Sequence, residues 1–526
     1  MTRRDEKRHI ARAAGLMSVA TFISRILGYV KDMILARFFG ATGIADTFFV
    51  AFRIPNLLRE LFAEGAMSSA FIPVLTEYQT KHGIEEARKL VRITFTFIMI
   101  FVGLICIVGI VFAPAIVTVI APGFLDMPEK FSLTVLLTRA MFPFLLFISL
   151  AALVMGALNT RRIFFIPALA PAMLNITIIA YVILLAPLMK QPIVAVAIGV
   201  TMGGFIQFTF QLPSLFKNEY SLKPEYNFRH PGLKKMSILI VPATMGMAVA
   251  QINIFVSTIL ASYLPEGSIT YLYYSMRLIQ FPIGIFGVAM GMAVLPTLSE
   301  HAVKGDFDKL RDDFSFALRL LFFITIPAMA GLIALREPIV NILFQRGRFD
   351  YIATAGTAHA LLFYSLGIWS IVGVRVVTAS FYSMQDTRTP VKVAVIALAA
   401  NIIFSIILMK PLKHSGLAFA NTIASGINFT LLFFFLRRKL KMVDAKRIFR
   451  SFVKTIFASS VMGLMSWMLL HGDVWQIHGG TLNKVFYLGG TITLCIGIYL
   501  FLSYLLKSEE FSYVIEMVKQ RFTTSS

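Results

Sequence analysis

Apolar residues run unbroken over span-length stretches again and again along this chain, separated by short polar breaks rich in lysine and arginine. Each run is long enough to cross a hydrocarbon layer of ~30 Å as an α-helix. Set against the polar breaks, the pattern predicts spans near 13–36, 45–74, 93–120, 132–157, 164–185, 192–215, 236–261, 270–299, 313–334, 354–383, 393–409, 416–436, 451–470 and 485–506. The alternating ten-residue segments of a membrane barrel are absent. The expected fold class is an all-α integral membrane protein of about fourteen transmembrane helices.

Composition agrees: 57% of the 526 residues are hydrophobic and 14% charged, where a soluble chain carries about 25% charged residues. A net charge of +22 raises nucleic acid as a partner, but the cations crowd the short breaks between spans, where they set topology beside anionic headgroups. No nucleic acid partner is expected. Of the 49 lysines and arginines, 31 fall in the two termini and the even-numbered loops, and nine in the odd-numbered loops. That asymmetry places both termini and the even loops in the cytoplasm. The start, MTRRDEKRH before LMSVATFIS, has the flavour of a signal peptide. Arg25, Lys31 and Asp32 follow at once, however, without a small-residue cleavage site, so an uncleaved first span is expected. Cys106 and Cys495 lie far apart in apolar runs and suggest neither metal cluster nor disulfide.

The chain repeats itself. Residues 45–78 end in Pro73-Val74-Leu75-Thr76-Glu77 and residues 269–301 in Pro296-Thr297-Leu298-Ser299-Glu300, with Arg53 opposite Arg277. MGALNTRRIFFIPALAPAMLNI (155–176) pairs with FYSMQDTRTPVKVAVIALAANI (381–402), aligning Arg162 with Arg388. A repeat spaced by an even number of spans keeps its orientation, so two six-helix lobes related by an axis along the membrane normal are expected. The expected organisation is a first lobe over 1–220, a second over 221–445, and two further spans with a tail over 446–526.

Charges within spans concentrate near the start. Arg25, Lys31, Asp32, Asp46, Arg53, Arg59, Glu60 and Glu64 all belong to the first two spans. A charge at mid-bilayer costs roughly 2.5–3.5 kcal/mol on insertion scales and faces a cavity or a partner. Arg25 and Asp32 share one helical face, as do Asp46, Arg53 and Glu60. Two readings stand side by side: helix-end charges and fixed ion pairs, or a wet anion-binding cavity to which the second lobe adds Arg277. Arginine suits the second because its planar fork grips phosphate oxygens bidentately and stays charged. Prolines and the run Gly284, Gly287, Gly291 are read equally as cavity-lining breaks and as small-residue helix packing. No phosphate-cradling loop is present, so ATP hydrolysis is not expected.

The stretch from Ser24 to Asp32 (SRILGYVKD), that from Ala45 to Arg59 (ADTFFVAFRIPNLLR) and Phe62-Ala63-Glu64-Gly65-Ala66 resemble the MurJ (MviN) lipid II flippases of the multidrug/oligosaccharidyl-lipid/polysaccharide exporter superfamily. The resemblance continues through Ala121-Pro122-Gly123-Phe124, Gly156 to Thr160, Tyr273 to Pro282 and Phe381 to Pro390. It implies a non-enzymatic carrier in a bacterial cytoplasmic membrane, moving an undecaprenyl-pyrophosphate disaccharide-pentapeptide from inner to outer leaflet by alternating access. It implies substrate-binding cations at Arg25, Lys31, Arg59 and Arg277, cavity or gating roles for Ser24, Asp32, Asp46, Arg53 and Glu64, and a lipid-tail groove in the last two spans. Lys31 stands where arginine is common, keeping charge but losing the fork. Met276 stands beside Arg277 where some members carry aspartate. No cofactor or metal is implied and no coupling ion is assigned. Implied partners are lipid II, membrane lipids and the cell-wall synthesis machinery. The rival readings are an ion-coupled exporter of drugs or of other polyprenyl-linked saccharides, which as a carrier of cations would favour acids in its cleft, and a membrane enzyme acting on polyprenyl phosphates.

Overall fold

The structure, a computed structural model, describes residues 3–60, 70–441, 443–477 and 482–523, the side chains of 3–14, 241–250, 288, 518 and 521–523 excepted. It divides into two compact units, residues 1–266 and 267–526. Among the described residues every regular element is helical.

The first unit runs α1 (Arg3–Phe39), α2 (Gly43–Leu58), α3 (Ile72–Lys81), α4 (Ile84–Val111), α5 (Ala113–Ile120), α6 (Pro128–Met141), α7 (Pro143–Thr160), α8 (Phe165–Ala180), α9 (Pro192–Thr209), α10 (Leu212–Lys217) and α11 (Pro231–Ser262). The second runs α12 (Ser268–Pro282), α13 (Val288–Lys304), α14 (Phe307–Ala334), α15 (Arg336–Phe344), α16 (Tyr351–Ser365), α17 (Ile368–Ser383), α18 (Arg388–Leu412) and α19 (His414–Lys439). It closes with α20 (Ala445–Leu470), α21 (Leu482–Leu505) and α22 (Glu509–Thr523). Among the described residues eleven helices, several of them continued across a proline or a π turn, are long and apolar enough to cross a membrane. They match expected spans 3–6 and 8–14. The other three fall on α1, on α2 and the start of α3 (residues 61–69 of that expected span lie outside the described residues), and on α11.

Prolines divide several spans without ending them. Pro143 opens α7 directly after Phe142, and Pro114 sits in the first turn of α5. At those positions the missing N–H has no intrahelical acceptor to lose. A π turn at Ile283–Gly287 joins α12 to α13. Gly287 serves close packing as well: a Cβ there would meet Val372 at 2.9 Å and the Arg375 side chain at 3.4 Å.

The repeat is written in the element order. α4 and α14 each span 28 residues, and α14 begins 223 residues after α4. α17 ends, and α18 begins, 223 residues after α7 ends and α8 begins. Arg162 and Gln385, also 223 apart, both take left-handed backbone at the ends of those helices. The pairing of Arg162 with Arg388 is therefore corrected by three residues. The slip is close to one helical turn, which leaves an apolar stripe nearly in register.

Each unit sorts its turns onto two faces. In the first unit, Gln79 donates to the Thr160 hydroxyl (3.1 Å) and to the Tyr220 hydroxyl (2.6 Å), Lys235 pairs with Glu77 at 2.5 Å, and Arg92 with Glu225 at 2.8 Å. These are residues of even loops. Lys235, and then Lys81, hold the Glu77 carboxyl below its ordinary range. The odd loops meet elsewhere: the Gly123 N–H donates to the Ser262 hydroxyl at 3.1 Å. In the second unit Lys439 reaches Asp386 at 2.7 Å, pushing that carboxyl down to about 2, and Arg311 donates to the Leu440 carbonyl at 2.5 Å. On its odd side Asn341 donates to the Trp475 carbonyl (2.7 Å) and Gln345 to that of Gln476 (2.9 Å).

Gly123, in the Ala121–Phe124 motif, is required by close approach. A Cβ there would lie 2.4 Å from the Ser262 carbonyl oxygen, a backbone atom that cannot swing away. Gly123→Ala is expected to destabilise the protein by about 1–3 kcal/mol, the cost of overpacking, read as a lowered melting temperature in detergent. An unchanged melt would contradict the contact.

The C-terminal helix is fastened by charge. Arg319 of α14, 4% exposed, pairs with Glu509 and Glu510 at 2.7 Å each, and Arg447 reaches Glu509 at 2.6 Å. Arg319 is thus a fixed pair at the even face. Arg447, first, and Arg319 hold the Glu509 carboxyl below its ordinary range against the opposing effect of desolvation. A depressed carboxylate contributes stability above its unfolded value, about 4.3 for Glu, which is lost as pH falls through the folded value. Backbone hydrogen exchange in α22 is therefore expected to be protected at pH 7 and to rise selectively below pH 4. Equal protection at both would refute the clamp.

Candidate functional site

The described site charges expected in the first unit lie on α1, on α2 and at the C-terminal end of α2. α1 packs along α8, where Asn175 donates to the Ser24 carbonyl at 3.3 Å. Ser24 is half-buried and Arg25 exposed. Two turns further, Asp32 is wholly buried, its Oδ1 3.3 Å from the Lys31 ammonium. The sequence pattern put Arg25 and Asp32 on one stripe. The structure shows that stripe passing from exposure at Arg25 to full burial at Asp32.

α2 begins at a proper cap. The Thr42 hydroxyl accepts the Ala45 N–H, and Asp46 sits in the first turn, where a carboxylate is stabilised by the exposed N–H groups and the helix dipole. Asp46 is 1% exposed and lies 3.6 Å from the Lys130 ammonium, which also stands 4.3 Å over the Phe124 ring. Sequence reasoning missed Lys130, placed in a loop. It opens α6, and only packing brings it to Asp46.

At the far end of α2 a polar knot forms around Glu60. Its Oε1 accepts from Asn56 Nδ2 at 2.9 Å and lies 3.7 Å from the Arg59 guanidinium, while Oε2 accepts from Gln251 Nε2 at 2.6 Å. Arg59 Nε donates to Asn56 Oδ1 at 3.0 Å. The Arg59 guanidinium is thereby aimed through Nε. Asn56 and Gln251 are positioning residues that the search for charges passed over; Asn56 was in plain view within Ile54-Pro55-Asn56-Leu57-Leu58-Arg59. Arg53 lies half-buried between the two ends. Glu64 falls outside the described residues.

Helical rise gives the depth of each group. Counted from the odd-face end of its own helix at 1.5 Å per residue, Lys31 lies about 12 Å along α1 and Arg25 about 21 Å; Arg53 lies about 15 Å along α2 and Arg59 about 24 Å. Arg53 is therefore near mid-bilayer. In the second unit Arg277 is half-buried, about 14 Å along α12. It precedes the π turn at Ile283 by six residues, and Arg53 likewise precedes by six the π-helical residues Arg59 and Glu60. The pairing of Arg53 with Arg277 thus has a backbone counterpart. In the first unit four cations, Lys31, Arg53, Arg25 and Arg59, lie at successive depths along α1 and α2, an arrangement suited to a multiply charged anion.

The profile of the family described as lipid II flippase MurJ matches residues 35–486. The chain is 36% identical to a probable lipid II flippase MurJ of Vibrio cholerae over 94% of its own length and 95% of that protein's. It is 34% identical to the lipid II flippase MurJ of Burkholderia cenocepacia over 93% and 96%. Among solved structures, lipid II flippase MurJ in an inward closed conformation superposes with a TM-score of 0.78 at 30% identity, covering 93% of this chain and 98% of that one. An inward-facing multidrug resistance MATE family transporter superposes at 0.66 with 15% identity, over 81% and 98%, a likeness of fold alone.

Proposed function

The chain belongs to the lipid II flippase MurJ family, and we propose that it carries lipid II from the inner to the outer leaflet of a bacterial cytoplasmic membrane. Lipid II joins a disaccharide-pentapeptide to an undecaprenyl tail through a diphosphate. Its headgroup needs a polar path, and its diphosphate needs cations that survive at membrane depth.

The observation that carries this reading is the descent of Lys31, Arg53 and Arg59 along α1 and α2, with Arg59 aimed by Asn56 and Glu60. Guanidinium groups supply planar, bidentate donors to phosphate oxygens, and an ammonium supplies a compact charge. Arg25, and separately Arg277 of the second unit, are assigned to substrate binding; Ser24, Asp32 and Glu64 to tuning and gating; α20 and α21 to the prenyl tail. Both termini and the even face are assigned to the cytoplasm, on the distribution of lysine and arginine. Alternate exposure of the cations to the two faces then moves the headgroup while the tail stays in lipid.

Depleting the protein in living cells is the test. A membrane-impermeant probe of lipid II should lose its signal at the outer surface while lipid II accumulates on the cytoplasmic side. Unchanged outer-leaflet lipid II on depletion overturns the proposal.

A further inference from the structure

A cavity of about 510 Å³ opens within the second unit between α14, α17, α19 and α20. Its wall is aromatic. The Phe322 ring centroid lies 5.2 Å from Phe452, 6.0 Å from Phe429 and 6.3 Å from Trp369, and Trp369 lies 5.3 Å from Phe429. Gly373 makes the room: a Cβ there would meet the Phe429 ring at 2.7 Å. Phe449, 68% exposed, stands at the opening.

The rim carries Arg437 and Lys446, from the last turn of α19 and the first turn of α20, and no carboxylate lines the cavity among the described residues. Neither rim cation is ion-paired among the described residues, whereas their neighbours Lys439 and Arg447 are held by Asp386 and Glu509. The segment 437–450 holds seven lysines and arginines against one acid, Asp444.

We infer that this cavity binds one anionic phospholipid of the cytoplasmic leaflet, an acyl chain among the aromatic rings and the phosphate between Arg437 and Lys446. The volume falls within the range of ligand pockets and suits the end of one acyl chain, not the eleven isoprene units of an undecaprenyl tail. The cations sit at two helix ends on the even face, the level of headgroups, and the leaflet that the positive loops face is the anionic one. The inference rests on that assignment of faces. The cavity shares α20 with the groove assigned to the tail but is not lined by α21.

The three tryptophans are Trp369, Trp467 and Trp475, so W467F/W475F leaves Trp369 as the sole fluorophore. Reconstituted full-length protein is compared in vesicles containing equal fractions of brominated-chain phosphatidylglycerol or brominated-chain phosphatidylcholine. Phosphatidylglycerol is expected to quench Trp369 at least twofold more strongly. R437Q/K446Q should abolish the difference, and R437K/K446R should keep it. Equal quenching by both lipids, or a preference that survives R437Q/K446Q, overturns the inference. Relief of the quenching by undecaprenyl diphosphate at sub-stoichiometric amounts would make the cavity a substrate site and also overturn it, leaving the flippase reading intact.

Discussion

Replacing Arg59 with alanine is expected to lower lipid II translocation in proteoliposomes by about ten- to a hundredfold. That is the worth of one hydrogen-bonded charge on the diphosphate, about 1.5–3 kcal/mol, at 1.4 kcal/mol per decade. Arg59→Lys should fall between, keeping the charge and losing the fork. The fold should survive, because Glu60 keeps Asn56 and Gln251 as donors. Asn56→Ala removes the acceptor that aims Arg59 Nε and should reproduce part of the loss without removing a charge. Equal rates for wild type and Arg59→Ala, at equal protein content, would exclude Arg59 from the grip.

A second large effect falls on stability. Lys130→Met should cost about 3–5 kcal/mol, the penalty for breaking a buried ion pair by removing one member, since Asp46 is 1% exposed and Lys130 lies 3.6 Å from it. The helix dipole at the start of α2 offsets only part of this. Pairing Lys130→Met with Asp46→Asn should recover most of the loss, because neutral replacements of a buried pair are often near neutral. Thermal melts in detergent of the two single variants and the double give the coupling. Additive losses would mean that the two side chains do not act as a pair.

Much of the fold was legible because a bilayer imposes one local rule: a long apolar run with its backbone bonds satisfied inside the segment. Eleven expected spans reappear as helices, most with ends shifted by six residues or fewer and the third, expected at 93–120, running instead over Ile84–Val111. The division of cations between even and odd loops was legible for the same reason, and each unit brings its even-loop residues together. The register of the repeat was harder. Helical periodicity makes a slip of three residues nearly silent, and only the left-handed Arg162 and Gln385 locate the helix ends.

The site divides in the same way. Charges inside apolar runs announce themselves, so Lys31, Asp32, Asp46, Arg53, Arg59 and Arg277 were all visible in the sequence as candidates. Their partners were not, because nothing local marks them. Lys130 lies 84 residues from Asp46 in sequence, and Gln251 lies 191 from Glu60. Arg319, a cation within an expected span, has equally distant partners: α22 folds back to supply Glu509 and Glu510. Only the tertiary structure distinguishes a charge held by a partner from one aimed at a ligand.

The claim that cations on α1 and α2 grip the diphosphate is tested most directly by substrate binding to R25Q/R53Q/R59Q, which leaves the buried Lys31–Asp32 pair intact, measured with purified lipid II beside wild type. The account predicts that binding collapses while the melting temperature stays within a few degrees of wild type. Undiminished affinity in that triple variant would contradict it.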